Sequence, residues 1–219
     1  MVVLALLSPQ WAPGALFERA IALDPGDVSI RHSYSSFLLA SGDEDGAIFQ
    51  LNTALGINPL SAVMTSDLAW TLSLAGRNED ALAKCDILKE LMPASPRSIA
   101  CYLRPFLELG RIRDAAVVAG KLMVRSGRVP QAHEPGELLQ EYWRWRTTFA
   151  RQPVPLAIAQ ARLGDAEGAL IALERAHAER GPMFPFVHLY PEFRALRTMD
   201  RYKAIRTVRQ SVYSGVERS

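Results

Sequence analysis

Four histidines, two cysteines and one run of aromatic and basic residues are the side chains with the widest chemical reach in this sequence. His32, His133, His177 and His188 show no i,i+4 spacing and no pairing with cysteines of the kind that holds a metal ion. Glu174 and His177 stand three apart, which makes them neighbours on a helix and reads as a surface pair rather than an acid–base couple. His188 lies in an apolar, proline-punctuated stretch and reads as a satisfied buried ring. There is no glycine-rich phosphate loop and no G-x-S-x-G elbow. The inventory therefore assigns no catalytic residue, no metal and no cofactor, and the chain is not expected to be an enzyme.

Cys85 and Cys101 are too few for a disulfide framework. They fall on two successive helices of a repeat, which could bring them near each other; the favoured reading is two small core residues kept reduced, which suits a cytoplasmic protein. The stretch EYWRWR at 141–146 is the most unusual in composition. Trp143 and Trp145 are two apart and cannot share one helical face, so one is expected inside and the other exposed or covered by the tail. The favoured role is packing of this helix; the alternative is a secondary aromatic patch of Tyr142, Trp143 and Trp145 that meets a peptide. Aromatics interleaved with arginines also stack nucleic-acid bases, but a net charge of +2 offers no wider basic field, so no nucleic acid is expected. No apolar run approaches the ~18–20 residues of a membrane span, and no membrane is expected.

What must position these residues is a repeat. Pro25, Pro59 and Pro93 recur every 34 residues, as do Gly42, Gly76 and Gly110, and Ala47, Ala81 and Ala115. Ala20, Ala54, Leu88 and Leu122 form a fourth ladder of the same period. Each glycine ends a helix, because it tolerates the left-handed cap. Acids follow at the positive start of the next helix (Asp43 to Asp45; Glu79 and Asp80; Asp114). The small alanine lets the two helices approach, and the proline closes the unit. The spacing predicts helices over 11–23, 28–41, 44–57, 62–75, 78–91, 96–109 and 112–126. Pro105 falls inside one of them and predicts a kink, since it cannot donate to the Cys101 carbonyl. Residues 126–136 read as a loop, 137–151 as an inserted helix, and 153–163 with 164–180 as a further pair. Residues 181–191 read as extended, and 191–210 as a short helix, a turn and a basic helix. Met1–Leu7 reads as the tail of a helix whose partner follows, so the chain is expected to start inside a repeat.

The period and its ladders resemble the tetratricopeptide (TPR) family over roughly residues 11–126 and again over 153–180. The family's early tryptophan is replaced by Arg31, Thr65 and Ile99. The resemblance implies an all-α fold, a right-handed α-solenoid of about five helix pairs. The expected segments are repeats over 1–126, an inserted loop and helix over 127–152, a further pair over 153–180 and a helical cap over 181–219. A narrower resemblance covers the tail: Leu163-Gly164, then Pro191-Glu192-Phe193-Arg194-Ala195-Leu196-Arg197, then Arg201-Tyr202. It is similar to the C-terminal end of bacterial TPR proteins in which such a region follows a winged-helix domain, as in CadC-like and HilA-like regulators, or a kinase or cyclase domain. Asp200 stands where that group has a proline.

In this family the first helix of each pair lines a concave groove that takes peptides or partner helices. The resemblance places His32, Ser36, Ser66, Trp70, Arg97, Arg104 and Glu108 on that face. Trp70 beside Arg97 and Arg104 would hold an acidic or aromatic-bearing peptide by stacking and bidentate hydrogen bonds. The family's clamp for a C-terminal carboxylate is not expected, because Asp67 and Cys101 occupy two of its positions. The function implied is a non-catalytic interaction scaffold for a protein or peptide partner. The alternative is the sensory half of a bacterial transcription regulator that lacks its DNA-binding domain.

Overall fold

The computed structural model describes residues 13–205; the expectations for Met1–Leu7 and for the end of the basic helix lie outside them. Among the described residues eleven α-helices run in chain order before the last stretch. They are α1 Pro13–Leu23, α2 Val28–Ser41, α3 Glu44–Ile57, α4 Ala62–Leu74, α5 Asn78–Leu91 and α6 Pro96–Cys101. Then follow α7 Leu103–Glu108, α8 Ile112–Arg125, α9 Pro135–Phe149, α10 Pro153–Arg162 and α11 Ala166–Ala178. A further helix begins at 200, and there is no strand among the described residues. The chain divides into two compact units that meet in sequence between Cys101 and Tyr102.

In the first unit α2 pairs with α3, and α4 with α5. The ladder residues do what their types allow. Gly42 takes φ 92 and returns its N–H to the Leu38 and Leu39 carbonyls, which ends α2. Asp27 caps the start of α2 and Asp43 the start of α3, each accepting backbone N–H groups that a helix leaves unpaired in its first turn. Ala47 and Ala81 have no exposed surface, so each helix pair closes at an alanine. Ile48, Leu51, Met64, Leu68 and Leu72 fill the space between the pairs. Phe17 stacks on Tyr34 at 5.0 Å and fastens α1 to α2.

The two cysteines correct the sequence reading. Cys85 on α5 and Cys101 at the end of α6 form a disulfide, with Cα atoms 5.7 Å apart. Packing of α6 on α5 brings the two positions face to face. A disulfide is not what a reducing cytoplasm favours. The predicted kink is an interruption: α6 stops at Cys101 and α7 starts at Leu103, with Tyr102 still at φ −74, ψ −20. The missing donor there is that of Pro105.

In the second unit α9 lies against both α8 and α10. That corrects the expectation for the two tryptophans. Trp143 and Trp145 point to different sides, yet both are buried because both sides are covered. Tyr142 sits 4.9 Å from Trp143 and 5.8 Å from Trp145, ring centre to ring centre. The preceding loop is held by Glu141, whose carboxylate accepts the N–H groups of Gln131 and Ala132. Residues 181–191 are not extended. They turn through a 3-10 segment, Phe184–Phe186, and a second follows at Pro191–Leu196. With no strand to pair with, a buried backbone satisfies itself locally by i to i−3 bonds, as from Val187 N–H to Phe184 and Leu189 N–H to Phe186. Phe184, Val187, Tyr190, Phe193 and Leu196 anchor this segment in the core.

Gly76 takes φ 78 and a methyl group there would meet no atom within 4 Å, so its replacement tests conformation alone. Gly76→Ala is expected to lower stability by about 1 kcal/mol, the left-handed penalty of a residue with a Cβ. Urea unfolding followed by circular dichroism checks it, and an unchanged midpoint would contradict the cap.

Candidate functional site

The residues assigned to the groove divide between the two units, and each set meets different neighbours. In the first unit His32 lies on α2, Ser66 and Trp70 on α4, and Arg97 on α6. The α4 helix packs beside α6. His32 Nε2 and Asp67 Oδ2 are 2.6 Å apart, with side chains 33% and 34% exposed. The hydrogen bond to Asp67 raises the imidazole pKa above its usual value; burial works against it, and the Asp67 charge adds to the rise. Ser36 is exposed one turn on from His32, and its hydroxyl donates to the His32 carbonyl at 3.3 Å. Trp70 and Ser66 are part-exposed, and Arg97 is exposed. Two of the family's clamp positions are engaged within the chain, Asp67 by His32 and Cys101 by its disulfide.

In the second unit Arg104 and Glu108 have partners from their own chain. Arg104 Nε donates to Glu192 Oε1 at 3.2 Å, and its guanidinium lies 4.8 Å from the centre of the Tyr190 ring. Arg162 donates to Glu108 at 2.9 Å and to Glu192 at 3.2 Å. Arg194 reaches the other Glu108 oxygen at 3.1 Å. Glu192 is the buried centre of this chain of charges, its side chain 2% exposed. Burial pushes its carboxyl up, but Arg104 and Arg162 more than offset that and hold it below the usual carboxylate range. The acid belongs to the Pro-Glu-Phe step of the tail. An acidic side chain does occupy the guanidinium of Arg104, and it comes from within.

The secondary aromatic patch is likewise interior, since Tyr142, Trp143 and Trp145 are all buried. Glu174 and His177 do not form the pair their spacing suggests. Glu174 accepts two hydrogen bonds from Arg201, at 2.8 and 2.9 Å, while the His177 ring lies 5.0 Å from Phe184. Arg201 also reaches Glu167 at 2.6 Å, and the Tyr202 hydroxyl donates to the Val187 carbonyl. The tail residues Pro191 to Arg197, with Arg201 and Tyr202, are thus packing and clasping residues. Sequence reasoning missed Glu167, Arg162 and Glu192 as partners. Arg104 and Glu192 lie 88 positions apart, with no local pattern to connect them.

Among the described residues no group of three or more His, Cys, Asp or Glu is placed to hold a metal ion. No helix among them is long and apolar enough to cross a membrane.

No family model and no curated protein matches this sequence. Solved structures do. A tetratricopeptide repeat protein from Parabacteroides merdae ATCC 43184 aligns over 93% of this chain and 76% of its own, at 14% identity and a TM-score of 0.54. The MamA protein aligns over 85% of this chain and 92% of its own, at 15% identity and a TM-score of 0.39. At such identities the first of these likenesses shows the fold, which is an all-α array of tetratricopeptide-type helix pairs.

Proposed function

We propose that the chain is a non-catalytic interaction module, and that its first unit takes an extended peptide or partner helix along the side chains presented by α2, α4 and α6. One contrast carries this reading. At the groove positions of the first unit Ser36 and Arg97 are exposed and Trp70 is part-exposed, whereas Arg104 and Glu108 in the second unit are engaged by Glu192, Arg162 and Arg194, with side chains 17% and 11% exposed. A visiting peptide brings a carboxylate to Arg97 and a planar or apolar side chain to Trp70, the two residue types that most often dominate interface energetics. The His32–Asp67 pair contributes a donor and an acceptor whose charge depends on pH.

The regulator reading has less behind it. The tail residues that suggested it, Pro191 to Arg197 with Arg201 and Tyr202, have structural work that needs no DNA-binding partner.

Three measurements test the proposal. Peptides selected by display on the wild-type protein are expected to bind Trp70→Ala/Arg97→Ala about tenfold or more weakly, since removing an aromatic or arginine anchor costs 1–2 kcal/mol or more; equal affinity would move the site off this face. In a proton NMR titration, His32 is expected to titrate above the ordinary histidine range and to fall in Asp67→Asn. A folded-state pKa above the unfolded one means the pair's stabilisation is fully present below about pH 6.5 and is lost as pH rises through the folded value; a His32 titration unmoved by Asp67→Asn would refute the coupling. Finally, Glu192→Gln leaves Arg104 and Arg162 short of a buried counter-charge and is expected to lower stability by about 3 kcal/mol. Peptide binding by the first unit should survive that change, and loss of binding in the folded variant would place the ligand on the second unit instead.

A further inference from the structure

The helix that carries Arg97 is poorly held by its own side chains. α6 has six residues, fewer than a helix needs to persist alone, and Ser98 is its one buried side chain. At its start the Ser98 hydroxyl lies 2.8 Å from both the Met92 and Ser95 carbonyls. At its end Pro105 has no N–H to give the Cys101 carbonyl, so the backbone ladder fails where α6 stops. The disulfide sits at that point. Cys85, on the long and well-buried α5, has no exposed surface, while Cys101 is partly exposed. The covalent bond therefore stands where the hydrogen bond is missing.

We propose that the Cys85–Cys101 bond is a redox latch that holds α6 on α4 and α5 and so keeps Arg97 in the peptide site. This rests on the peptide-site reading for its consequence, though not for the latch itself. The reductant class is a small thiol or dithiol. Its thiolate attacks the Cys101 sulfur, the S–S bond breaks, and Cys85 leaves as a thiolate that takes up a proton. A second external thiol then attacks the outer sulfur of the mixed disulfide. That frees the Cys101 thiol and leaves the external pair oxidised, two electrons and two protons having passed to the protein. Approach is from the Cys101 side, since Cys85 is enclosed. Once the bond opens, Ser98 and the partly buried Ile99 are left to hold α6, and the helix exchanges between docked and undocked forms.

The test uses the full chain, oxidised or treated with dithiothreitol, with Cys85→Ala/Cys101→Ala as a reductant-free reference. Amide hydrogen exchange is expected to quicken about tenfold or more across 96–101, as loss of a short-loop disulfide allows, while α2 to α4 keep their rates. A short fluorescein-labelled peptide of alternating Glu and Phe should bind the oxidised protein several-fold more tightly than the reduced one. Reduction should no longer matter in Arg97→Ala. Unchanged exchange across 96–101 overturns the latch, and so does equal acceleration throughout the unit, which would make the bond a general staple. Free thiols in protein prepared without reductant overturn it too. If exchange responds as expected but the peptide binds neither form, the latch stands and the peptide-site reading fails.

Discussion

Each helix pair closes at an alanine with no exposed surface, and the rest of the architecture follows from that contact. Ala47, Ala81, Ala115 and Ala169 all sit at this place, at the second turn of the second helix in a pair. A larger side chain there would push the helices apart and empty the interior of dispersion contacts, which are short-ranged and lost within an ångström of separation. The left-handed glycine is the companion constraint. It reverses the chain in two or three residues, so the second helix returns antiparallel to the first at that close distance. Gly42, Gly76, Gly110 and Gly164 all adopt it.

Much of this was legible because both constraints act locally. A glycine three or four residues before an acid, and an alanine shortly after, need no knowledge of the distant chain. Helices α2, α3 and α5 therefore begin and end where the ladders place them, and α4 ends one residue early. The likeness to a solved tetratricopeptide structure is consistent with that pattern at only 14% identity, because so few positions carry the constraint. Where the ladders stop, the reading weakened. Residues 181–191 look extended by composition, yet their hydrogen bonds close on themselves. The fates of Trp143 and Trp145 depended on α9 having neighbours on two sides, which no local pattern records.

For the candidate site the sequence offers positions and not their state. The repeat register assigns His32, Trp70, Arg97, Arg104 and Glu108 to the inward face of their helices, and only Trp70 and Arg104 are one period apart, but the contacts of these residues are decided far along the chain. Glu192 removes Arg104 from consideration from 88 positions away. Asp67 engages His32 across a separation of 35. The disulfide is a similar case: the repeat puts the two cysteines on successive helices, but their pairing depends on the facing sides of α5 and α6.

The seating of Glu192 has a consequence for competition. A carboxylate tethered to the same polypeptide is present at an effective concentration of order millimolar before any of its apolar anchors are counted. A free acidic segment at micromolar level, offering the same two salt links to Arg104 and Arg162, starts about a thousandfold behind by mass action alone. Phe193 and Tyr190, buried on either side of the acid, widen that gap. Competition of this kind is built into the second unit, where Arg104 and Arg162 already hold a carboxylate of their own chain.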